Sequence, residues 1–487
     1  MSQMAMRRIS SSTAPLALAL LVLAGCSTID PYSSLPMSHN LQREDDVGYC
    51  ARLFADIDRR IDSLGVRDAE THRVAGFPYL RVDRFSAALA QRATSASQER
   101  AWRSRLQQLD ETARASELAN AALTIEDLPR CRELLGVADS AAGTELRAAA
   151  KVPDDYNIAM RTLGLYPLTR LPFASGIARW QADTRSVFAT PIEALPVRGR
   201  LQRYAPAPQA QKPAQSLPVD ALGIPVPSAA EAAALIVRHA PVLEIDVAGD
   251  FDRIGALMLD ADDRVSVDTV APVVYTRITY TLLGGVIHPQ LVYTFWFSER
   301  PPAPGSTFDL LAGKLDGVVW RVTIDSAGDA LVYDSIHACG CYHLFFSTDK
   351  VVARDLPETL DESLFVPQTL PRGPSSERVV LRVESGTHYL QRVLMSSEKS
   401  SVPATVYRLH DERALTRLAR HGGGTRSAYG EDGMIAGSER GERWFFWPMG
   451  IESAGQMRQW GHHATAFVGR RHFDDPLLLD AYFELHR

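Results

Sequence analysis

Cysteine is scarce, at five in 487 residues, too few for a scaffold held together by disulfides. Positive charge is not in excess either. Lys and Arg number 52 against 58 Asp and Glu, a net −6, so the broad basic footprint of a nucleic-acid-binding protein is missing. No apolar run reaches the ~20 residues that a membrane-spanning helix needs. No 20–50-residue repeat marks a solenoid. The serine-hydrolase elbow G-x-S-x-G, the zinc motif H-E-x-x-H and a Walker-type phosphate loop are all missing. What remains, 46% apolar and 23% charged, is ordinary for a soluble globular chain. The length suits about two to four domains.

The N-terminus carries an address. Arg7 and Arg8 precede a short apolar run, Pro15 to Ala24, which ends Leu23-Ala24-Gly25-Cys26. This arrangement resembles the lipobox signal of bacterial lipoproteins. The resemblance implies removal of residues 1–25, diacylglycerol on the Cys26 thiol and a fatty acid such as palmitate on the new amine. Ser27, in place of Asp, implies the outer membrane, with the protein lipid-anchored there and facing the periplasm. The membrane is then one partner, and nucleic acid is not. Residues 26–41, rich in Ser and Pro after the lipidated Cys, read as a tether. Loss of two arginines would leave the body more acidic still, so it is expected to stand off an anionic surface. From residue 42 onward the chain resembles Gram-negative envelope lipoproteins that have no assigned activity, which implies a location and no chemistry.

The spacing of Val47, Ala51, Phe54, Ile57 and Ile61 predicts an amphipathic helix at the start of a helical domain over 42–190. A second helix is expected from Ser97 through Leu118, and a third after Asp127. Residues 191–230 are proline-dense and read as a connector that excludes helix and inner strand. Ser228 and Glu231 form a capping box for a short helix. Beyond it lie candidate strands at 242–246, 272–282, 290–297, 318–324, 331–336, 378–384 and 404–409, with a short helix at 454–460. Tight spacing between neighbours points to antiparallel pairing. The expected fold is α+β: an N-terminal helical region, then a domain over 231–487 built on a mainly antiparallel sheet.

Reactive side chains concentrate in one place. His337, Cys339, Cys341 and His343 alternate, so on a straight strand they share a face. Two thiolates and two imidazoles suit zinc or copper. His337 and His343 would lie ~20 Å apart on a straight strand, so a shared ion needs a bend, which Gly340 permits. A Cys339–Cys341 disulfide and plain core cysteines are the competing readings. Cys50 and Cys131 are a second candidate pair. A thiol nucleophile at Cys339 or Cys341 could use His388 or His463 as base. Other pocket candidates are His388 after a strand, Glu299 and Arg300 at the end of an aromatic strand, and the C-terminal group His462, His463, Arg470 and Arg471. The last two form either an anion clamp or ion pairs with Asp474 and Asp475.

Two functions follow. One is an outer-membrane-anchored binding or envelope-assembly module. The other is an envelope enzyme, a metal-dependent hydrolase or thiol enzyme, centred on residues 337–343.

Overall fold

The computed structural model describes residues 31–208, 217–306, 308–370, 377–397 and 403–486. Cys26 and the apolar run before it lie outside them. The first helix, Asp46–Leu64, starts where the Asp45 side chain accepts from Gly48 N at 3.1 Å and stops at Gly65, whose φ of 65° the left-handed region requires. It buries Ala51, Phe54, Ile57 and Ile61 of the predicted stripe, with Val47 half-buried at its start and Cys50 buried beside it. The second long helix, Ala96–Asn120, begins a residue earlier than expected because Ser95, not Ser97, makes the capping box with Gln98. Helix Leu128–Ala138 is bound to the first by the Cys50–Cys131 disulfide. Between the first two long helices lies a hairpin that the helical reading missed, His72–Val74 with Phe77–Val82. Residues 31–41, expected as tether, are packed: Gly76 N donates to Pro31 O, the Tyr32 hydroxyl to Phe54 O, and Met37 is buried.

This layer hides charge as well as hydrocarbon. Asp110 is fully buried and meets Arg114 at 3.0 Å, Arg132 at 2.6 Å and Arg81 at 3.5 Å. Arg114 also reaches Asp58 at 2.8 Å, and Arg81 reaches Glu117 at 2.6 Å. Burial works to raise the Asp110 pKa, and the three guanidinium groups more than offset it, so the carboxyl stays below the usual range.

The second layer is a ten-stranded sheet. In chain order its strands are β1 (Arg200–Pro206), β2 (Val242–Val247), β3 (Val273–Leu283), β4 (Val286–Arg300), β5 (Gly313–Ile324), β6 (Ala330–His337), β7 (Leu344–Ser347), β8 (Glu377–Val383), β9 (Leu390–Ser397) and β10 (Thr405–Asp411). Their order across the sheet is β7-β6-β5-β4-β3-β10-β1-β2-β8-β9. The α+β class stands, but the sheet is mixed rather than mainly antiparallel. β10 runs parallel to both β3 and β1, and β8 runs parallel to β2. Short turns join β3 to β4 and β5 to β6, which is why local spacing read them correctly, while a longer loop over 301–312 joins β4 to β5. The parallel contacts come from long returns that spacing does not register. β1 is an inner strand inside the expected connector, in the stretch between Pro196 and Pro206, its last residue, that holds no other proline.

The sheet curls on itself. Residues 365–370 bridge its two edges: Leu370 N donates to Ser347 O on β7, while the Gln368 amide pairs with the backbone of Val393 on β9. One apolar core therefore gathers Phe295, Trp320 and Phe346 from one half with Leu243, Leu381 and Val393 from the other. Burial of each such side chain is worth about 1.5–3 kcal/mol. The capping-box helix, Ala229–His239, forms as predicted and packs on this core through Leu235 and Ile236. Residues 454–460 form turns, not the expected helix, because Arg458 N and Gln459 N donate to Ala338 O and Gly433 O in other segments. The helical layer docks on the sheet through Leu282 and Ile287, and through Ser116 Oγ, 2.8 Å from Thr416 Oγ1.

Candidate functional site

The structure scatters the sequence-predicted residues among three places. The first is a buried chain of acids and imidazoles at one end of β4 to β6. His388, in the β8–β9 turn, is fully buried and has a φ of 54°, unusual for a side chain other than Gly or Asn. Its Nδ1 lies 2.7 Å from Asp316 Oδ2, its Nε2 3.4 Å from Asp252 Oδ1, and Phe297 stacks on the ring at 3.7 Å. Asp252 also accepts from Ser385 Oγ, Gly386 N and Ala248 N. Burial would lower the His388 pKa, but the two carboxylates reverse this and raise it. His337 joins from β6, with Nδ1 3.4 Å from Asp316 Oδ1. Arg300 closes the group with a hydrogen bond to the Tyr389 hydroxyl at 3.2 Å. Nearby Glu442 is pushed up to about 7 by burial. Glu299 is exposed and pairs in register with Lys314, away from the group.

The expected metal set does not form. Gly340 does supply the bend, with φ 90° and a tight turn in which Gly340 N donates to His337 O. The histidines part nonetheless. Asp334 and His337 are an odd number of residues apart on β6 and so point to opposite faces. His337 goes to Asp316 on one face. His343 goes to Asp334 on the other, at 3.0 Å, beside Arg321 and Phe473. Cys339 and Cys341 are free and sit among apolar side chains such as Leu315 and Met457. Among the described residues no three of His, Cys, Asp and Glu gather as a metal site, so neither zinc nor copper has a ligand set there. The Cys341 thiol is raised well above its usual value by its hydrogen bond with Cys339 and by burial, the wrong direction for a nucleophile.

The C-terminal candidates are internal fasteners. Arg471 is buried against Thr465 Oγ1 and the carbonyls of Glu362 and Ser363, while Arg470 turns to Asp154 at 2.7 Å. The two cannot clamp one anion. His462 lies 2.8 Å from Ala69 O and 3.4 Å from Asp155, and His463 lies 3.2 Å from Ala338 O. Burial lowers the His463 pKa to about 3, leaving the ring neutral.

None of these residues lines the cavity of about 590 Å³ between the helical layer and the sheet. The floor is the middle of β3, where Thr276 to Tyr280 are all half-buried although both ends of the strand are buried. Glu70, His72, Arg84 and Arg105 enter from the helical layer, and Asp411 and Arg413 from the end of β10 and the turn after it. Trp460 and Asp474 complete the wall. Its cations are already held by acids. Arg277 bridges Glu70 at 2.5 Å and Glu412 at 3.2 Å, and Arg84 bridges Asp155 at 2.8 Å and Asp474 at 3.2 Å. Burial raises the Glu70 pKa to about 7 against the pull of Arg277, so this carboxyl exchanges its proton near neutrality. Nothing local in the sequence marks these residues, which are spread from Asp68 to Asp474. The one available signal was a charge, Arg277, in the middle of a strand of Val, Tyr, Thr and Ile.

No protein-family model matches the chain, and no curated protein or solved structure is significantly similar to it. Function therefore has to be argued from the site.

Proposed function

We propose that the protein is an outer-membrane-anchored, periplasm-facing lipoprotein that binds a small polar molecule in the cavity between its helical layer and its sheet. The cavity carries this reading. Its volume suits a small ligand, and alternating acids and arginines offer hydrogen-bond donors and acceptors on every side. The lipobox resemblance supports the address. So does the Cys50–Cys131 disulfide, a bond that persists in oxidising compartments. Among the described residues no helix is long and apolar enough to cross a membrane.

Two measurements test the two halves. Cys26→Ala should abolish labelling of the protein with radioactive palmitate, and continued labelling would refute the anchor. For the cavity, thermal shift against glucose, N-acetylglucosamine, glutamate, glycylglycine and inorganic phosphate should give at least one rise in Tm. Thr279→Trp, which fills the floor, should remove that rise and leave the unliganded Tm within a few degrees. A panel without a shift, or a shift indifferent to Thr279→Trp, would sink the binding reading.

Glu70 favours a second reading, an envelope enzyme that uses this carboxyl as general acid or base. Glu70→Gln would then stop turnover of the bound compound while keeping its thermal shift.

A further inference from the structure

An unpartnered surface lies apart from the cavity. Helix Ile158–Leu163 buries no residue, and the 24-residue helix Tyr166–Ala189 buries only Phe188. Along them Leu163, Leu165 and Leu168 are each more than 60% exposed. Leu165 takes a left-handed φ of 49°, a conformation a leucine adopts only under strain. Residues 444–447 continue the surface: Trp444 is 68% and Phe445 56% exposed. The two segments are packed together, Phe173 against Phe446 at 5.1 Å and Arg161 Nε on Met449 O at 2.8 Å. A water-facing surface rarely leaves so much contiguous hydrocarbon uncovered.

We propose that this face docks on an anionic phospholipid surface. Charge selects the occupant. Helix Tyr166–Ala189 exposes Arg179 and Arg185 beside a single Asp183, on a chain of net charge −6, whereas Arg161 donates to Met449 O and Gly469 O and Arg170 meets Asp361 at 3.8 Å. Arg443 lies over the Trp444 ring at 4.8 Å. Leucine, tryptophan and arginine together are the composition of interfacial binding. A second copy of the chain would have to bring Arg179 and Arg185 against the same pair, so self-pairing is disfavoured. Overall acidity keeps the rest of the body off the bilayer and leaves this face as the contact. The anchor reading adds proximity: only four residues lie between Cys26 and packed Pro31, a reach of at most about 17 Å.

The test uses the complete chain from Ser27, without Cys26, so that docking is read independently of lipidation. It should float with vesicles of phosphatidylethanolamine and phosphatidylglycerol at 3:1, and much less with phosphatidylcholine alone. Leu168→Ser combined with Trp444→Ser should weaken flotation by about tenfold or more, from the lost apolar burial, with Tm unchanged because both side chains are exposed. Arg179→Glu, at an exposed arginine, should weaken it on the anionic vesicles. Val270→Ser, at a valine 90% exposed elsewhere, should have no effect. The proposal is overturned by absence of flotation, or by flotation that these substitutions leave intact. A dimer in solution that Leu168→Ser dissolves would overturn it too, by assigning the face to a second copy.

Discussion

Asp110→Ala should cost about 3–5 kcal/mol, the usual penalty for removing one partner of a buried ion pair. The carboxylate sits among Arg81, Arg114 and Arg132, all buried. Its loss leaves three guanidinium groups close together, with Asp58 and Glu117 as their remaining buried acids. Repulsion and lost hydrogen bonds then act together, since Arg114 and Arg132 each donate to Asp110 while Arg81 is held by its charge alone. The measurement is a thermal or urea midpoint of the oxidised protein, with Cys50–Cys131 intact, so that the disulfide does not vary between samples. Asp110→Asn should recover little, because the amide keeps the shape and loses the charge. A drop below about 1 kcal/mol would mean that the arginines reach water when Asp110 is gone.

His388→Ala should be comparably damaging, also about 3–5 kcal/mol, because it takes the shared partner from Asp252 and Asp316 and the stacked face from Phe297. Here pH gives a second readout. The folded pKa of His388 is raised above its unfolded value of about 6.5. Its protonation therefore stabilises the fold in full below that value and is lost as pH rises through the raised folded pKa. Asp316 has the opposite sign. Burial opposes it, but His337 and His388 hold its pKa well below 3.8, so its contribution is present above about 4 and lost as pH falls further. Wild-type Tm should accordingly decline on the alkaline side of about 6.5, and His388→Ala should flatten that limb. His388→Asn should recover part of the stability, because asparagine tolerates the left-handed backbone and its amide can donate to one carboxylate. An alkaline limb unchanged in His388→Ala would assign it to other groups.

Local information settled part of the secondary structure. The stripe from Val47 to Ile61, the capping box at Ser228 and Glu231, and the apolar, β-branched runs at 318–324 and 331–336 on either side of the turn at Gly328 each specify a conformation through contacts within a few residues, and each element formed. The pairing of Cys50 with Cys131 was open in the sequence and was closed by the packing of two helices. Sites were a different matter. His337, Cys339, Cys341 and His343 are neighbours in sequence, yet the two faces of β6 carry the histidines to different aspartates. His388 and Arg300 did come together, through Asp316 and Tyr389, which no motif marked. The sequence by itself determined the balance of charge and those helices and strands, because short-range sterics and hydrophobic periodicity act along the chain; the hairpin at 72–82 and strand β1 carried no such local mark. The parallel insertion of β10, the closure of the sheet by residues 365–370 and the cavity wall drawn from residues 68 to 474 were decided only in three dimensions. Those contacts join segments tens to hundreds of residues apart, well beyond the period of a helix or strand, and loop closure on that scale leaves no periodic trace in the residues that meet.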